Sequence, residues 1–132
     1  MQNTIKIVLG ALSTVFVYLF GGLDIALQSL LIAIVIDYIT GLLKATKKNN
    51  LSSKIGLKGI KKKIGILCLV ALSVVVDRIT GDSGFVRTMI IYYLVANEGL
   101  SIIENLGEMD ILVPEFLKSK LEQLKDKGSD QE

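Results

Sequence analysis

The stretch IALQSLLIAIVIDYITGLL, residues 25–43, decides how this chain folds. As a helix its nineteen residues reach about 28 Å, close to the ~30 Å of bilayer hydrocarbon. Its only charge is Asp37. A central Asp costs about 2.5–3.5 kcal/mol on the insertion scale, while its Ile, Leu and Val residues return roughly 3–7 kcal/mol together. The segment is therefore expected to insert, with lipid as its solvent.

Three more apolar stretches resemble it in length. Ile7–Leu23 carries no charge, Ile64–Thr80 ends in Asp77-Arg78, and Phe85–Ile103 contains Arg87 and Glu98. The pattern predicts an all-α membrane protein with four short transmembrane helices, about 7–23, 25–43, 64–80 and 85–103. Three crossings, with one segment lying in the interface, is the alternative. Lys6 before an apolar run imitates a signal peptide, but no Ala-x-Ala type site follows, so the first stretch is read as a retained span. With 132 residues there is room for one compact unit. The expected division is a transmembrane domain, 1–110, and a charged tail, 111–132. After Pro114, Phe116, Leu117, Leu121 and Leu124 fall among charges, which predicts an amphipathic cytoplasmic helix over Glu115–Lys127. Gly128–Glu132 is expected to fray.

Charge placement sets the direction. Of fifteen basic residues, eight are lysines of one connection: Lys44, Lys47, Lys48, Lys54, Lys58, Lys61, Lys62 and Lys63. No acid accompanies them, and the positive-inside rule puts them in the cytoplasm. The turns at Gly22–Asp24 and Gly81–Gly84 then face outward, and both termini face inward. The same lysines attract anionic lipid, about 1 kcal/mol each near the leaflet. Without interleaved aromatics they do not suggest nucleic-acid binding. Within this connection, Ser52 or Ser53 is placed to cap a helix. Histidine is absent and cysteine occurs once, as Cys68. That excludes a disulfide framework, a Cys/His zinc site and a His-dependent triad. No cofactor, metal or enzymatic activity is expected. Cys68, in an apolar run, is expected to be a small buried residue.

Polar residues form stripes on these helices. In the second stretch Ala26, Ser29, Ala33, Asp37, Gly41 and Lys44 recur at intervals of three and four, leaving Leu27, Leu31, Ile34, Val35 and Ile39 for lipid. The third stretch repeats this with Gly65, Ser73 and Asp77. The fourth does so with Tyr93, Asn97, Glu98, Ser101, Glu104 and Asn105. Ionisable groups at membrane depth are costly and point to function. One reading turns these stripes to water in an assembled lumen; the other uses them as hydrogen-bonded glue between helices. Asp77-Arg78, at a span end, also suits an interfacial anchor.

The motifs Asp37-Tyr38-Ile39-Thr40-Gly41-Leu42-Leu43-Lys44-Ala45, then Ser52-Ser53-Lys54-Ile55-Gly56-Leu57-Lys58-Gly59 with Lys61-Lys62-Lys63, then Asn97-Glu98-Gly99-Leu100-Ser101-Ile102-Ile103-Glu104-Asn105, occur in this order. Over roughly Ile5 to Asp110 the chain resembles the phage lysis and toxin-secretion holin family of Gram-positive phages and toxin loci. That resemblance implies a homo-oligomer in the cytoplasmic membrane of a bacterial host, opening timed lesions that release an endolysin or a toxin. It draws attention to Asp37, Thr40, Gly41, Lys44, Asn97, Glu98, Ser101 and Asn105, without a catalytic role for any. No second Met near the start suggests a dual-start inhibitor form. Two other classes compete. A small proton-coupled multidrug-type transporter wants an acid in its first span, and Ile7–Leu23 has none. A holin antagonist or membrane assembly subunit would need the same spans as a holin.

Overall fold

The computed structural model describes residues 1–129, and the part of the expected frayed end at 130–132 lies outside them. Five helices follow one another: α1 (Gln2–Phe20), α2 (Ile25–Lys47), α3 (Ser53–Thr80), α4 (Phe85–Glu108) and α5 (Glu115–Ser129). Local chemistry explains their ends. Gly21 takes φ 80°, the left-handed conformation that closes α1 without a Cβ penalty. The Asp24 carboxylate accepts from Leu27 N at 3.0 Å and caps α2. Ser52 Oγ does the same for α3, accepting from Ile55 N at 3.3 Å. The expected fraying does not reach Gly128 and Ser129, which complete α5.

The basic connection is more helical than its composition suggested. Once Ser52 has capped α3, no Pro interrupts the chain, and Gly56 and Gly59 settle against Tyr38. The non-helical link shrinks to residues 48–52, while Lys54 to Lys63 ride on the first turns of α3. A Cβ on Gly59 would lie 3.1 Å from the Tyr38 ring.

α1, α2 and α4 are long and apolar enough to cross a membrane. α3, though 28 residues long, is not among them. Its uncharged stretch, Ile64 to Val76, is thirteen residues, about 20 Å, bounded by Lys63 and Asp77-Arg78.

Helices α2, α3 and α4 meet around Leu27, Leu30, Ile34, Ile66, Val70, Ile91 and Leu94. Leu27 and Ile34 thus lie in the core, not on the lipid face expected for them, whereas Val35 and Ile39 are exposed. The inward face of α2 follows Leu27, Leu30, Ile34, Asp37 and Thr40. Burying it requires large side chains to fill the gap between three helices, a demand the small-residue stripe could not meet. Cys68 likewise points outward rather than into the core. α1 buries no residue, and Ile7, Leu12, Val15 and Tyr18 stand exposed along it. With Ile32, Val35, Leu72 and Ile79 they form a larger apolar exterior than a water-soluble monomer carries.

The tail does not stand apart from the rest. α5 turns back and packs along α4. A Cβ on Gly99 would come within 2.8 Å of the Leu121 side chain, and one on Gly128 within 2.7 Å of the Met89 carbonyl.

Candidate functional site

The acids within the helices are spent on one another's neighbours. Lys63 Nζ donates to Asp37 Oδ2 and to Glu98 Oε2, so α3 ties α2 to α4 with one ammonium between two carboxylates. Asn105 extends the cluster. Its Nδ2 donates to Asp37 Oδ1 at 3.1 Å and to Thr40 Oγ1 at 2.9 Å, and approaches the Asp37 carbonyl at 3.3 Å. Thr40 Oγ1 in turn donates to the carbonyl of Ile36 or Asp37. All five residues are buried, and Glu98 is only 2% exposed. Among the described residues no buried side-chain polar atom lacks a partner. In a medium without water this satisfaction is what allows charges to remain.

Asp37, Lys63 and Asn105 of this cluster line a cavity of about 410 Å³ between α2, α3 and α4. Lys44, Lys48 and Lys62 stand around it, with Gly41 and Ser101 in the wall. Gly41 leaves room there, since a Cβ would lie 3.8 Å from Asn105 Nδ2. Two ion pairs close the same end of the bundle: Lys47 with Asp110 at 2.5 Å and Lys48 with Glu108 at 2.7 Å. The Lys47 ammonium holds the exposed Asp110 carboxyl below its ordinary range.

The opposite end is fastened by arginines. Arg87 Nη1 and Nη2 donate to Asp24 at 2.7 and 3.0 Å, a two-pronged pairing that also fixes the α1–α2 turn. Its Nε donates to the Phe20 carbonyl at 2.6 Å and Nη2 to that of Gly22 at 3.0 Å. A Cβ at Gly21 would meet Arg87 Nε at 2.8 Å, so the guanidinium needs glycine there. Arg78 donates to the Tyr18 carbonyl and lies over the Tyr18 ring, 4.0 Å from its centroid. Asp77 serves the backbone: its two oxygens accept from Val86 N and Arg87 N, each at 2.9 Å, capping α4 from the preceding helix.

Arg87 draws the Asp24 carboxyl down from 3.8 to about 2, chiefly through the hydrogen-bonded pair. A carboxyl lowered on folding adds stability above its unfolded value, and that stability is lost as pH falls through the folded value. Asp24 is half exposed, so the pair is discounted to about 1 kcal/mol. Asp24→Asn keeps a capping side chain but removes the charge. The stability gap between wild type and Asp24→Asn in micelles is expected to close as pH falls from about 4 to about 2. A gap that persists at pH 2 would contradict the pairing.

Of the residues singled out from sequence, the fold brings Asp37, Thr40, Glu98 and Asn105 together, with Gly41, Lys44 and Ser101 beside them. Ser73 is buried on α3 and donates to the Val70 carbonyl. Asp77 is at the far end, Glu104 is exposed, and Asn97 is half-buried. Sequence reasoning missed the second role of Lys63, the one buried lysine among the described residues. A signal was present: Lys63, Ile66, Val70, Ser73 and Asp77 recur at intervals of three and four, so Lys63 shares the core face of α3. The Arg87–Asp24 pairing was also missed, because sixty-three residues separate them.

The bacteriophage holin family model matches residues 14–126. The chain belongs to the bacteriophage holin family. A 14.9 kDa protein from the nagH 3′ region of Clostridium perfringens is 42% identical over 95% of this chain and 96% of its own length. Protein Lin0175 of Listeria innocua is 42% identical over 100% of this chain and 94% of its own. A protein of Bacillus phage phi105 named a probable holin is 33% identical over 79% of this chain and 76% of its own. No solved structure gives a significant match. As a holin-family chain with three membrane-compatible helices, it is embedded in a membrane.

Proposed function

We propose that the chain is a holin that accumulates in the cytoplasmic membrane of a bacterial host, oligomerises, and opens timed lesions for an endolysin or a toxin. The observation that carries this reading is the closed Asp37–Lys63–Glu98 cluster inside an apolar bundle of the holin family. A subunit whose membrane-depth charges are satisfied internally disperses in lipid without leaking ions. Its apolar exterior, and α1 above all, is free to meet other copies. The lysine-rich end faces the cytoplasm with both termini, and α3 returns between the two ends as a fourth crossing. Lys44, Lys48 and Lys62 around the cavity suit the headgroup of an anionic lipid from that leaflet. A proton-coupled transporter would need an acid free to trade its proton for cargo, whereas Asp37 and Glu98 share Lys63.

Inducible expression with and without a cytoplasmic endolysin tests the proposal. The expected result is abrupt loss of membrane potential in both cultures, with rapid lysis only where endolysin is present. Continued growth at high membrane abundance would contradict it.

A further inference from the structure

The position of α5 conflicts with lipid and so says where water must be. Leu121, Leu124 and Gly128 share its inward face, and Gly99 and Gly128 let the two helices approach closely. Gly128 rests on the backbone of Met89 and Tyr93, within three turns of the α4 N-terminus, so α5 runs back along most of α4. Lys125 lies over the Tyr93 ring. On the opposite face Glu115, Lys118, Glu122 and Asp126 follow at intervals of three and four, and all are exposed. α4 is long and apolar enough to span the membrane. While α5 is docked on it, these charges stand at membrane depth with no cation or anion from another helix opposite them among the salt bridges of the described residues. Hydrocarbon does not tolerate such a row; a water-filled space does.

We propose that α5 is the lumen-lining helix of the assembled lesion: docked on α4 by its leucine–glycine face, it presents Glu115, Lys118, Glu122 and Asp126 to water. This rests on the holin reading above and adds what the closed cluster cannot supply, a wettable wall. In dispersed subunits α5 leaves α4 and lies at the cytoplasmic surface, where exposed Ile111, Leu112 and Phe116 enter the interface and its charges meet water. Assembly brings copies together, water fills the space between them, and α5 swings onto α4.

The test uses full-length chain with Cys68→Ser, because Cys68 is exposed, and single Glu122→Cys or Asp126→Cys. A membrane-impermeant maleimide is applied from outside while a dye follows membrane potential. A second variant, Gly99→Cys with Leu121→Cys, reports docking by disulfide formation when a membrane-permeant thiol oxidant is added before or after collapse. Labelling is expected to stay at background until the potential collapses and then go to near completion, with the 99–121 cross-link appearing in step. Collapse without labelling at 122 or 126 would overturn the lumen assignment while leaving the holin reading intact. A cross-link formed equally before collapse would also overturn it, since α5 would then be docked in closed membranes. If potential never collapses, the holin reading fails and the lumen assignment falls with it.

Discussion

Lys63→Met is expected to destabilise the bundle by about 3–5 kcal/mol, the range for removing one partner of a buried charge group. Met fills nearly the same volume, so packing is largely kept and the loss is electrostatic. Without the ammonium, Asp37 and Glu98 face each other across a site that gives each almost no water; Asp37 is 7% and Glu98 2% exposed. Asn105 still donates to Asp37, but Glu98 loses its sole hydrogen-bond donor among the described residues. Folded subunits in the membrane should fall sharply, and lysis with them. Adding Asp37→Asn and Glu98→Gln to Lys63→Met removes every charge while keeping hydrogen-bonding groups. That triple variant is expected to recover most of the stability, because a neutral cluster no longer needs an ion to balance it. Denaturant unfolding in micelles and membrane abundance in cells measure both effects. If the triple variant is as unstable as Lys63→Met alone, charge balance is not what holds the three helices together.

Gly128→Ala should detach the last turns of α5 and cost about 1–3 kcal/mol, the usual range for overpacking a close contact. The added Cβ would lie 2.6 Å from Tyr93 Cβ and 2.7 Å from both Met89 O and Tyr93 N. These belong to the backbone and first carbon of a packed helix and cannot rotate aside. Gly99→Ala is the internal comparison. Its Cβ would meet the Leu121 side chain, closest at the methyls at 2.8 and 2.9 Å, and a leucine end can turn away. Its cost is expected to stay below about 1 kcal/mol. Amide hydrogen exchange across residues 115–129 in assembled oligomers, where α5 is docked, separates the two: protection is lost in Gly128→Ala and largely kept in Gly99→Ala. Equal protection in both would mean that α5 does not dock through Gly128.

Apolar stretches long enough for lipid, and the glycine, serine and aspartate signals between them, made the helices legible before any coordinates. The polar partners were partly legible. Asp37, Glu98 and Asn105 stand out because polar groups are rare in such runs, and the fold does bring them together. Lys63 was hidden because it ends a run of three lysines whose obvious use is to set topology. Only the turn of α3 tells it apart from Lys61 and Lys62, and that turn depends on the helix beginning as early as Ser53. The lipid face of α2 was misjudged for a related reason. A stripe of small residues promises close helix contact, but three helices meeting at one place leave a wider space, and Leu27 and Ile34 fill it. The return of α5 along α4 had no local signal. It follows from matching Leu121 to Gly99, twenty-two residues away in sequence, and Gly128 to the backbone of Met89 and Tyr93.

The central claim is that the charges buried between α2, α3 and α4 answer to each other before they answer to water. A double-mutant cycle between Lys63→Met and Glu98→Gln, read by unfolding in micelles, measures this directly. A desolvated ion pair is expected to give a coupling of about 2 kcal/mol or more, well above the ~0.6 kcal/mol common for hydrogen bonds between membrane helices. Additive effects of the two substitutions, with coupling near zero, would mean that these side chains face water independently, and the internally sealed subunit would have to be abandoned.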